Sequence, residues 1–203
     1  MTSVERVRTA LQGNQPDRVS VVEFVIDSKV WRAAMPDARD CADFMDRAGY
    51  DCVGCGATFN RVEERTDGTY VDEWGVRYLP GPEAVAHPLE GPITTLEDAH
   101  AWIPPDPDVP HRLATLRDYV ARYKGKRAIC FHHRAAFMWS AYLTGLDNLL
   151  MHLLADPPLA EYVMDKVLDV NMQIVRNAVQ AGAEVIILGD DYAHNLGPMM
   201  SPS

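Results

Sequence analysis

Short apolar runs alternate with helical patterns along this chain, and that alternation constrains its fold more than any other feature. Four runs have the length and the apolar content of buried strands: 19–26, 51–56, 127–133 and 184–189. Helical patterns lie between them, most clearly at 41–48, 111–124 and 135–181. Because strands that alternate with helices pair in parallel, the sequence predicts an α/β fold built on a parallel sheet.

The two ends of the chain carry the clearest local signals. Thr2 and Glu5 have capping-box spacing and predict a short helix that Gly13 ends. The run 19–26 is polar only at Ser20 and Glu23, which is typical of a strand covered on both faces. The last helix is predicted to be capped by Asp156, to start at Pro157, and to bury one face made of Val163, Val167, Val170, Ile174 and Ala178.

The middle of the chain departs from the alternation. Asp67-Gly68 lies between the β-rich segments RVEER and TYVDEWGVRY, which predicts an antiparallel hairpin over about 61–80. Prolines and glycines crowd into 81–110, around one short helix that the Thr94 and Glu97 spacing begins. A break between structural blocks and a long surface connection are both consistent with that crowding. We predict a single domain over 1–203, with the Pro-rich segment as a connection.

Composition excludes several classes of function. The 203 residues include 19 Lys plus Arg and 29 Asp plus Glu, a formal net charge of −10, which argues against a nucleic-acid partner. Four cysteines are too few for a disulfide scaffold in a chain of this length. The N-terminus lacks the apolar run of a signal peptide, and no segment has the length of a membrane span. We therefore expect a soluble, cytoplasmic protein without a membrane partner.

Polar residues at strand ends are the candidates for chemistry, because parallel α/β folds carry their working residues there. His132 and His133 end the third run, and Asp190, Asp191, Tyr192 and His194 follow the fourth. Glu23 lies within the first run. Carboxylates and imidazoles that converge at one edge could move protons or hold a metal.

Each of these candidates also has a structural interpretation. A Gly-Asp-Asp after a strand is often a turn whose carboxylates cap a helix. Successive strand residues face opposite ways, so at most one of His132 and His133 can point into a barrel. Glu23 and His194 could be surface residues.

The cysteines are predicted to pack in the core. Cys52 and Cys55 have CxxC spacing, but no second pair follows to complete four ligands. Cys41 and Cys130 are isolated in sequence. We expect no structural zinc within this chain. The sequence also lacks the Walker, GxGxxG and GxSxG motifs.

Several segments resemble the uroporphyrinogen decarboxylase superfamily. They are the opening RVRTALQGNQPDRVSV, then DEWGVRY, HPLEGPITTLEDAHAWIPPDPD, GLDNLLMHLLADPPLAEYVMDKV and AGAEVIILGDDYAHNLGPMMSP. The resemblance implies a TIM-barrel-like (β/α)8 fold. An eight-stranded barrel needs roughly 250 residues. We therefore predict a barrel truncated to about four parallel strands plus the hairpin.

The superfamily includes at least two chemistries. They are decarboxylation of uroporphyrinogen without a cofactor, and methyl transfer between methylated compounds or thiols and a corrinoid protein, usually with zinc. Decarboxylases carry the motif FMRQAGRY after the first strand, with arginines that meet substrate carboxylates. The corresponding stretch here, FVIDSKVWRAAMPD, offers only Lys29 and Arg32 as substrate-binding cations. The resemblance therefore implies the methyltransferase branch. Its zinc ligands would lie beyond Ser203, with a corrinoid partner for a full-length protein.

From these observations we predict a catalytic group of Glu23, His132, Asp190 and Asp191, with His133, Tyr192 and His194 contacting a small-molecule substrate. The alternatives are uroporphyrinogen decarboxylase itself and a non-catalytic half-barrel that needs a complementary partner. Four parallel strands leave two open edges, at 19–26 and 184–189. We expect the isolated chain to be poorly soluble or to form a homodimer, and to show little catalysis.

Overall fold

The computed structural model describes residues 1–82 and 85–201. Its α-helices are α1 (Ser3–Leu11), α2 (Ser28–Ala34), α3 (Cys41–Arg47), α4 (Leu96–Ala101), α5 (Ala114–Tyr123), α6 (Phe137–Thr144), α7 (Leu146–Ala155) and α8 (Pro157–Ala181). Its strands are β1 (Cys52–Gly56), β2 (Arg61–Glu64), β3 (Tyr70–Asp72), β4 (Arg77–Leu79), β5 (His87–Glu90), β6 (Ala128–His133), β7 (Val185–Leu188), β8 (Ala193–His194) and β9 (Gly197–Pro198). A 3-10 turn, Pro110–Leu113, precedes α5.

The chain divides into two compact units, each assembled from separate stretches. The first contains Met1–Thr58, Pro110–His133 and Val175–Ile187. The described residues of the second are 59–82, 85–109, 134–174 and 188–201. The single domain over 1–203 stays a prediction.

The first unit is organised around a parallel sheet. Its strand order is β1-β6-β7, and β1 pairs with β6 in a register that sets Cys52 beside Ala128 and Gly56 beside His132. Residues from α1, β1 and β6 pack together in one hydrophobic cluster, with Val7, Cys52, Ala128 and Cys130 buried. The predicted capping box of α1 is confirmed, because Thr2 and Glu5 hydrogen-bond reciprocally.

The prediction of a strand at 19–26 is wrong, and the parallel sheet has three strands rather than four within the described residues. The Asp51 N–H donates to the Val21 carbonyl at 2.9 Å, but the Val21 N–H donates to the Asp51 carboxylate, also at 2.9 Å. A side chain therefore takes the donor that a strand ladder would use. The run is also exposed, with Val19 84% and Val25 47% accessible, so its apolar sequence does not reflect burial within this unit.

An antiparallel sheet in the second unit confirms the predicted hairpin. Its order is β2-β3-β4-β5, and the turn between β2 and β3 contains Gly68, whose φ of +84° favours glycine. Strand β5, which the sequence did not indicate, lies in the Pro-rich segment. The capping box of α4 is one residue later than predicted: Thr95 and Asp98 form it, not Thr94 and Glu97.

The helical segment predicted over 135–181 consists of three helices, α6, α7 and α8. Gly145, with a φ of +87°, separates α6 from α7, and α8 begins at Pro157 as predicted. The predicted apolar face of α8 is buried. In the second unit, β5 approaches α6 so closely that a Cβ on Gly91 would collide with backbone atoms of Tyr142 and Leu143.

Candidate functional site

Polar residues follow two neighbouring strands of the parallel sheet at the points where those strands end. Arg134 comes directly after β6, and Gly189, Asp190 and Asp191 come directly after β7. All four residues belong to the second unit, and we call them, with Tyr142 and Tyr192, the strand-end cluster. In α/β folds this edge of the sheet is where ligands bind.

Asp190 accepts hydrogen bonds from backbone N–H groups at the start of α6. One carboxylate oxygen accepts a hydrogen bond from the Ala135 N–H at 3.0 Å, and the other accepts from the Phe137 N–H at 2.9 Å. The first N–H groups of a helix have no partner within the helix, so a carboxylate there is stabilising. The structural interpretation of the Gly-Asp-Asp turn therefore holds for Asp190, although the helix it caps precedes it in sequence.

Arg134 connects the ends of the two strands. Its Nη1 donates to the Gly189 carbonyl at 2.9 Å and lies 3.8 Å from an Asp191 carboxylate oxygen. Its guanidinium carbon lies 5.1 Å from the centre of the Tyr142 ring. Sequence reasoning missed Arg134, although its position immediately after His133 at a strand end was a signal for it.

Two tyrosines complete the cluster. The Tyr192 hydroxyl donates to Asp190 at 3.3 Å, and its ring lies 5.1 Å from the Phe137 ring. Burial raises the pKa of Tyr142, and the charges of Asp191 and Asp190 raise it further against the opposing effect of Arg134. Burial and Asp190 likewise raise the pKa of Tyr192. Both phenols are thus neutral hydrogen-bond donors at pH 7. Tyr142 carried no sequence signal, because it lies within the apolar helix FMWSAYLT.

His194 has a local role. It lies in the short strand β8, and its Nδ1 accepts a hydrogen bond from the Leu196 N–H at 3.1 Å. The side chain is exposed, as its surface interpretation expected.

His132, on β6, lies in the first unit. Its ring centre lies 4.7 Å from that of Phe24, and its Nε2 points at Gly54 of β1. In the described part of the chain this buried Nε2 has no hydrogen-bond partner. Burial lowers the pKa of His132 to about 4, so the ring is neutral at pH 7.

The remaining predicted residues of the first unit have different surroundings. Glu23 is exposed, and its Oε1 accepts from the Phe24 N–H at 3.2 Å, so Phe24 rather than Glu23 contacts His132. His133 is buried, with its ring 5.6 Å from that of Phe131. Lys29 and Arg32 lie one turn apart on α2, where the Arg32 guanidinium stacks on Trp31 at 4.8 Å.

The structure thus brings together Asp190, Asp191 and Tyr192 in the second unit, whereas Glu23 and His132 belong to the first. That these two groups of residues form one site stays a prediction.

The core packing predicted for Cys52 and Cys130 is confirmed, and both are fully buried. Cys41 and Cys55 are partly exposed, and burial raises the pKa of Cys55 to about 12, which keeps its thiol protonated. Zinc binds thiolates. Within residues 1–82 and 85–201, no three His, Cys, Asp or Glu side chains gather as metal ligands would. The side chains that the structure describes therefore do not fit a zinc site.

Comparisons with known proteins show what this chain is similar to. The sequence profile of the family described as uroporphyrinogen decarboxylase (URO-D) matches residues 75–201. A solved structure, a methyltransferase from Methanosarcina mazei, superposes with a TM-score of 0.68 at 14% sequence identity. That superposition covers 93% of this chain and 58% of the archaeal one.

The search of curated proteins found no match. Among the described residues, no helix has the length and hydropathy needed to cross a membrane. The matches imply a TIM-barrel-like fold, of which the described residues form an unclosed part. The resemblance inferred from the sequence is confirmed.

Proposed function

Because this chain belongs to the uroporphyrinogen decarboxylase family, we propose that it serves methyl transfer between a methylated small molecule and a corrinoid protein or a thiol. The chain spans 58% of the length of the M. mazei methyltransferase that it superposes on, so the proposal concerns the protein's activity as a whole.

The observation that carries the proposal is the charge of the strand-end cluster. It contains one guanidinium, Arg134, and two carboxylates, Asp190 and Asp191. A polycarboxylated macrocycle needs several cations, preferably the forked guanidiniums that match carboxylates. A cluster with one cation and an acidic balance suits a small substrate with at most one carboxylate.

The residues have distinct roles in this proposal. Asp190 is held by the α6 N–H groups and positions Tyr192, whereas Asp191 is 72% exposed and faces solvent. When a methyl group leaves its heteroatom for a nucleophile, the heteroatom keeps the bonding electron pair and takes up a proton. A neutral phenol such as that of Tyr142 can supply a proton of this kind. The neutral His132 and the carboxylate of Glu23 stay predicted members of the catalytic group.

The zinc of this branch has no place among the described side chains, so no step here passes through a metal. The corrinoid enters the proposal as an acceptor carried by a partner protein.

Product analysis tests the proposal. We expect the protein to methylate free reduced cobalamin or a thiol when it is given a methylated donor, and to release no carbon dioxide from uroporphyrinogen. Asp190→Asn should slow methyl transfer. Asp98→Asn, which removes a carboxylate that caps α4 in the same unit, should leave the rate unchanged.

Two outcomes would contradict the proposal. Decarboxylation of uroporphyrinogen at a rate that falls in Asp190→Asn would establish the alternative decarboxylase activity. Absence of both reactions in a cooperatively folded protein would favour the non-catalytic interpretation.

A further inference from the structure

We propose that a cleft beside α2 binds a phosphate group, free or as the monoester of a small molecule, and that Arg32 and Arg39 hold it. The cleft has a volume of about 290 Å³ and lies within the first unit, where Trp31, Arg32, Pro36, Ala38 and Arg39 line it. We call it the arginine cleft. The inference goes beyond the proposed methyl transfer and does not rest on it.

A short reversal of the chain brings the two arginines to one cavity. Arg32 lies in the last turn of α2, and Met35 ends that helix. The Ala38 N–H donates to the Met35 carbonyl at 3.0 Å, and the Arg39 N–H donates to the Asp43 carboxylate at 3.0 Å. The segment between α2 and α3 is therefore fixed by hydrogen bonds, and it places both arginines on the wall of the same cleft.

The protein does not use either guanidinium as a hydrogen-bond donor. Within residues 1–82 and 85–201, the side chains of Arg32 and Arg39 donate no hydrogen bond. The Arg32 guanidinium stacks on Trp31 at 4.8 Å, and Trp31 is only 8% exposed, so the ring that supports the stack is fixed in the core. A guanidinium that stacks on an aromatic face keeps its edges free for a ligand.

The carboxylates nearest to Arg39 are hydrogen-bonded to another arginine. Asp40 lies 3.8 Å and Asp118 lies 3.7 Å from the Arg39 guanidinium, both beyond hydrogen-bond distance. Each of them accepts a hydrogen bond from Arg122 Nη2 instead, at 2.6 and 2.7 Å. The two carboxylates hold Arg39 in place by charge, and its N–H groups stay available to a ligand.

The composition of the arginine cleft favours an anion with two charges. None of its five lining residues is acidic, and Asp37, in the same segment, accepts a hydrogen bond from Arg47 at 2.8 Å. On a chain with a formal net charge of −10, two guanidiniums on one cavity are a local exception. Paired N–H donors of guanidinium match the oxygens of phosphate, and two guanidiniums balance its two charges.

The size of the cleft limits the occupant. Pockets for small molecules have volumes of about 300–1,000 Å³. The arginine cleft, at about 290 Å³, lies at the lower end of that range. It therefore suits a phosphate group with at most a small organic body.

Calorimetric titration of the whole chain tests the inference. The ligands are inorganic phosphate, phenyl phosphate and, as a dicarboxylate, succinate. We expect both phosphates to bind more tightly than succinate, because phosphate concentrates its charge on one group that two guanidiniums can share. Tighter binding of phenyl phosphate than of inorganic phosphate would support a phosphorylated small molecule as the occupant, and the reverse order would support the free anion.

Variants identify the residues. Arg32→Gln and Arg39→Gln should each weaken phosphate binding at least about tenfold, since a hydrogen bond to a charged group contributes that much. Arg39→Lys should retain part of the affinity, because the charge stays and the fork is lost. Arg8→Gln is the matched control: Arg8 is 65% exposed, as against 66% for Arg39, lies in the same unit and pairs with Glu184 at 2.9 Å.

Three outcomes would overturn the inference. The first is a folded wild-type protein that binds neither phosphate at millimolar concentration. The second is equal weakening in Arg8→Gln and Arg39→Gln, which would mean diffuse attraction to exposed arginines. The third is tighter binding of succinate than of phenyl phosphate, which would assign the cleft to carboxylates. Thermal unfolding checks that each variant is folded, and we expect the midpoints of Arg32→Gln and Arg39→Gln to match that of the wild type.

Discussion

His132 and Asp190 are polar residues near the ends of two neighbouring strands, yet their surroundings are opposite. Both carboxylate oxygens of Asp190 accept backbone hydrogen bonds. The buried Nε2 of His132 has no partner in the described part of the chain and points at a glycine. A polar atom that is fully paired contributes to folding, whereas a buried unpaired one costs stability and remains available to a ligand. Asp190 is therefore a positioning residue, whereas His132 is a group whose buried Nε2 the fold leaves without a hydrogen bond in the described part of the chain.

Substitutions at two glycines compare a collision with backbone, at Gly91, with a collision with the unpaired His132 ring, at Gly54. The larger loss in the free energy of unfolding is expected at Gly91. A Cβ there would collide with the backbone of Leu143 and Tyr142, and backbone inside a packed helix cannot move aside cheaply. We expect Gly91→Ala to lower the free energy of unfolding by about 3 kcal/mol. Chemical denaturation measures this loss, with Gly68→Ala as a comparison in which only a positive φ, and no collision, opposes the added Cβ. A loss below about 1 kcal/mol would show that β5 does not approach α6 so closely.

The second prediction concerns pH. Burial lowers the pKa of His132 from 6.5 to about 4 in the folded protein, so the unfolded chain takes up this proton first as pH falls. The contribution of neutral His132 is therefore complete above pH 6.5 and is lost between pH 6.5 and 4. We expect His132→Leu to be less sensitive to acid than the wild type by about 2 kcal/mol between pH 7 and 4.5. Parallel stability curves for the two proteins over this range would contradict the buried, unpaired state of His132.

Third, Asp190→Asn should destabilise the protein by about 1 kcal/mol, because an amide keeps one acceptor but loses the charge at the helix start. Thermal unfolding at pH 7 measures this loss. Tyr192→Phe, which removes only the donor to Asp190, separates the hydrogen bond at 3.3 Å from the cap. A larger loss of stability in Tyr192→Phe than in Asp190→Asn would mean that the tyrosine hydrogen bond stabilises the protein more than the cap does.

These cases show how much of the molecule the sequence could predict. The hairpin, the start of α8 and the buried faces of β6 follow from local rules, since turn residues, caps and apolar period act over a few positions. The prediction of a strand at 19–26 was wrong because an apolar run forms a strand only where a neighbouring strand pairs with it. In the structure the Val21 N–H donates to the Asp51 carboxylate instead. Secondary structure at an edge depends on what pairs with it.

The candidate site was only partly predictable for a related reason. Asp190 and Asp191 directly follow an apolar run and are therefore visible in the sequence. Arg134 and Tyr142 become important only through contacts between residues far apart in the chain, such as that of Arg134 with Gly189. The α6 cap made by Asp190 likewise joins residues more than 50 positions apart. No spacing rule detects such contacts.

The effect expected at Gly54 is as small as that of Asp190→Asn, and it tests the unsatisfied state of His132 most directly. A Cβ on Gly54 would meet the tip of the His132 ring and lie 3.3 Å from the Cβ of Cys130. The imidazole can swing away, because the Phe24 that covers it is 39% exposed. We therefore expect Gly54→Ala to cost only about 1 kcal/mol, far less than the collision with backbone at Gly91. A displaced ring regains water, so the His132 pKa should rise from about 4 toward 6.5. An NMR titration of the imidazole signals in both proteins measures that rise. An unchanged pKa in a stable Gly54→Ala variant would mean that Gly54 does not hold His132 in its dry position.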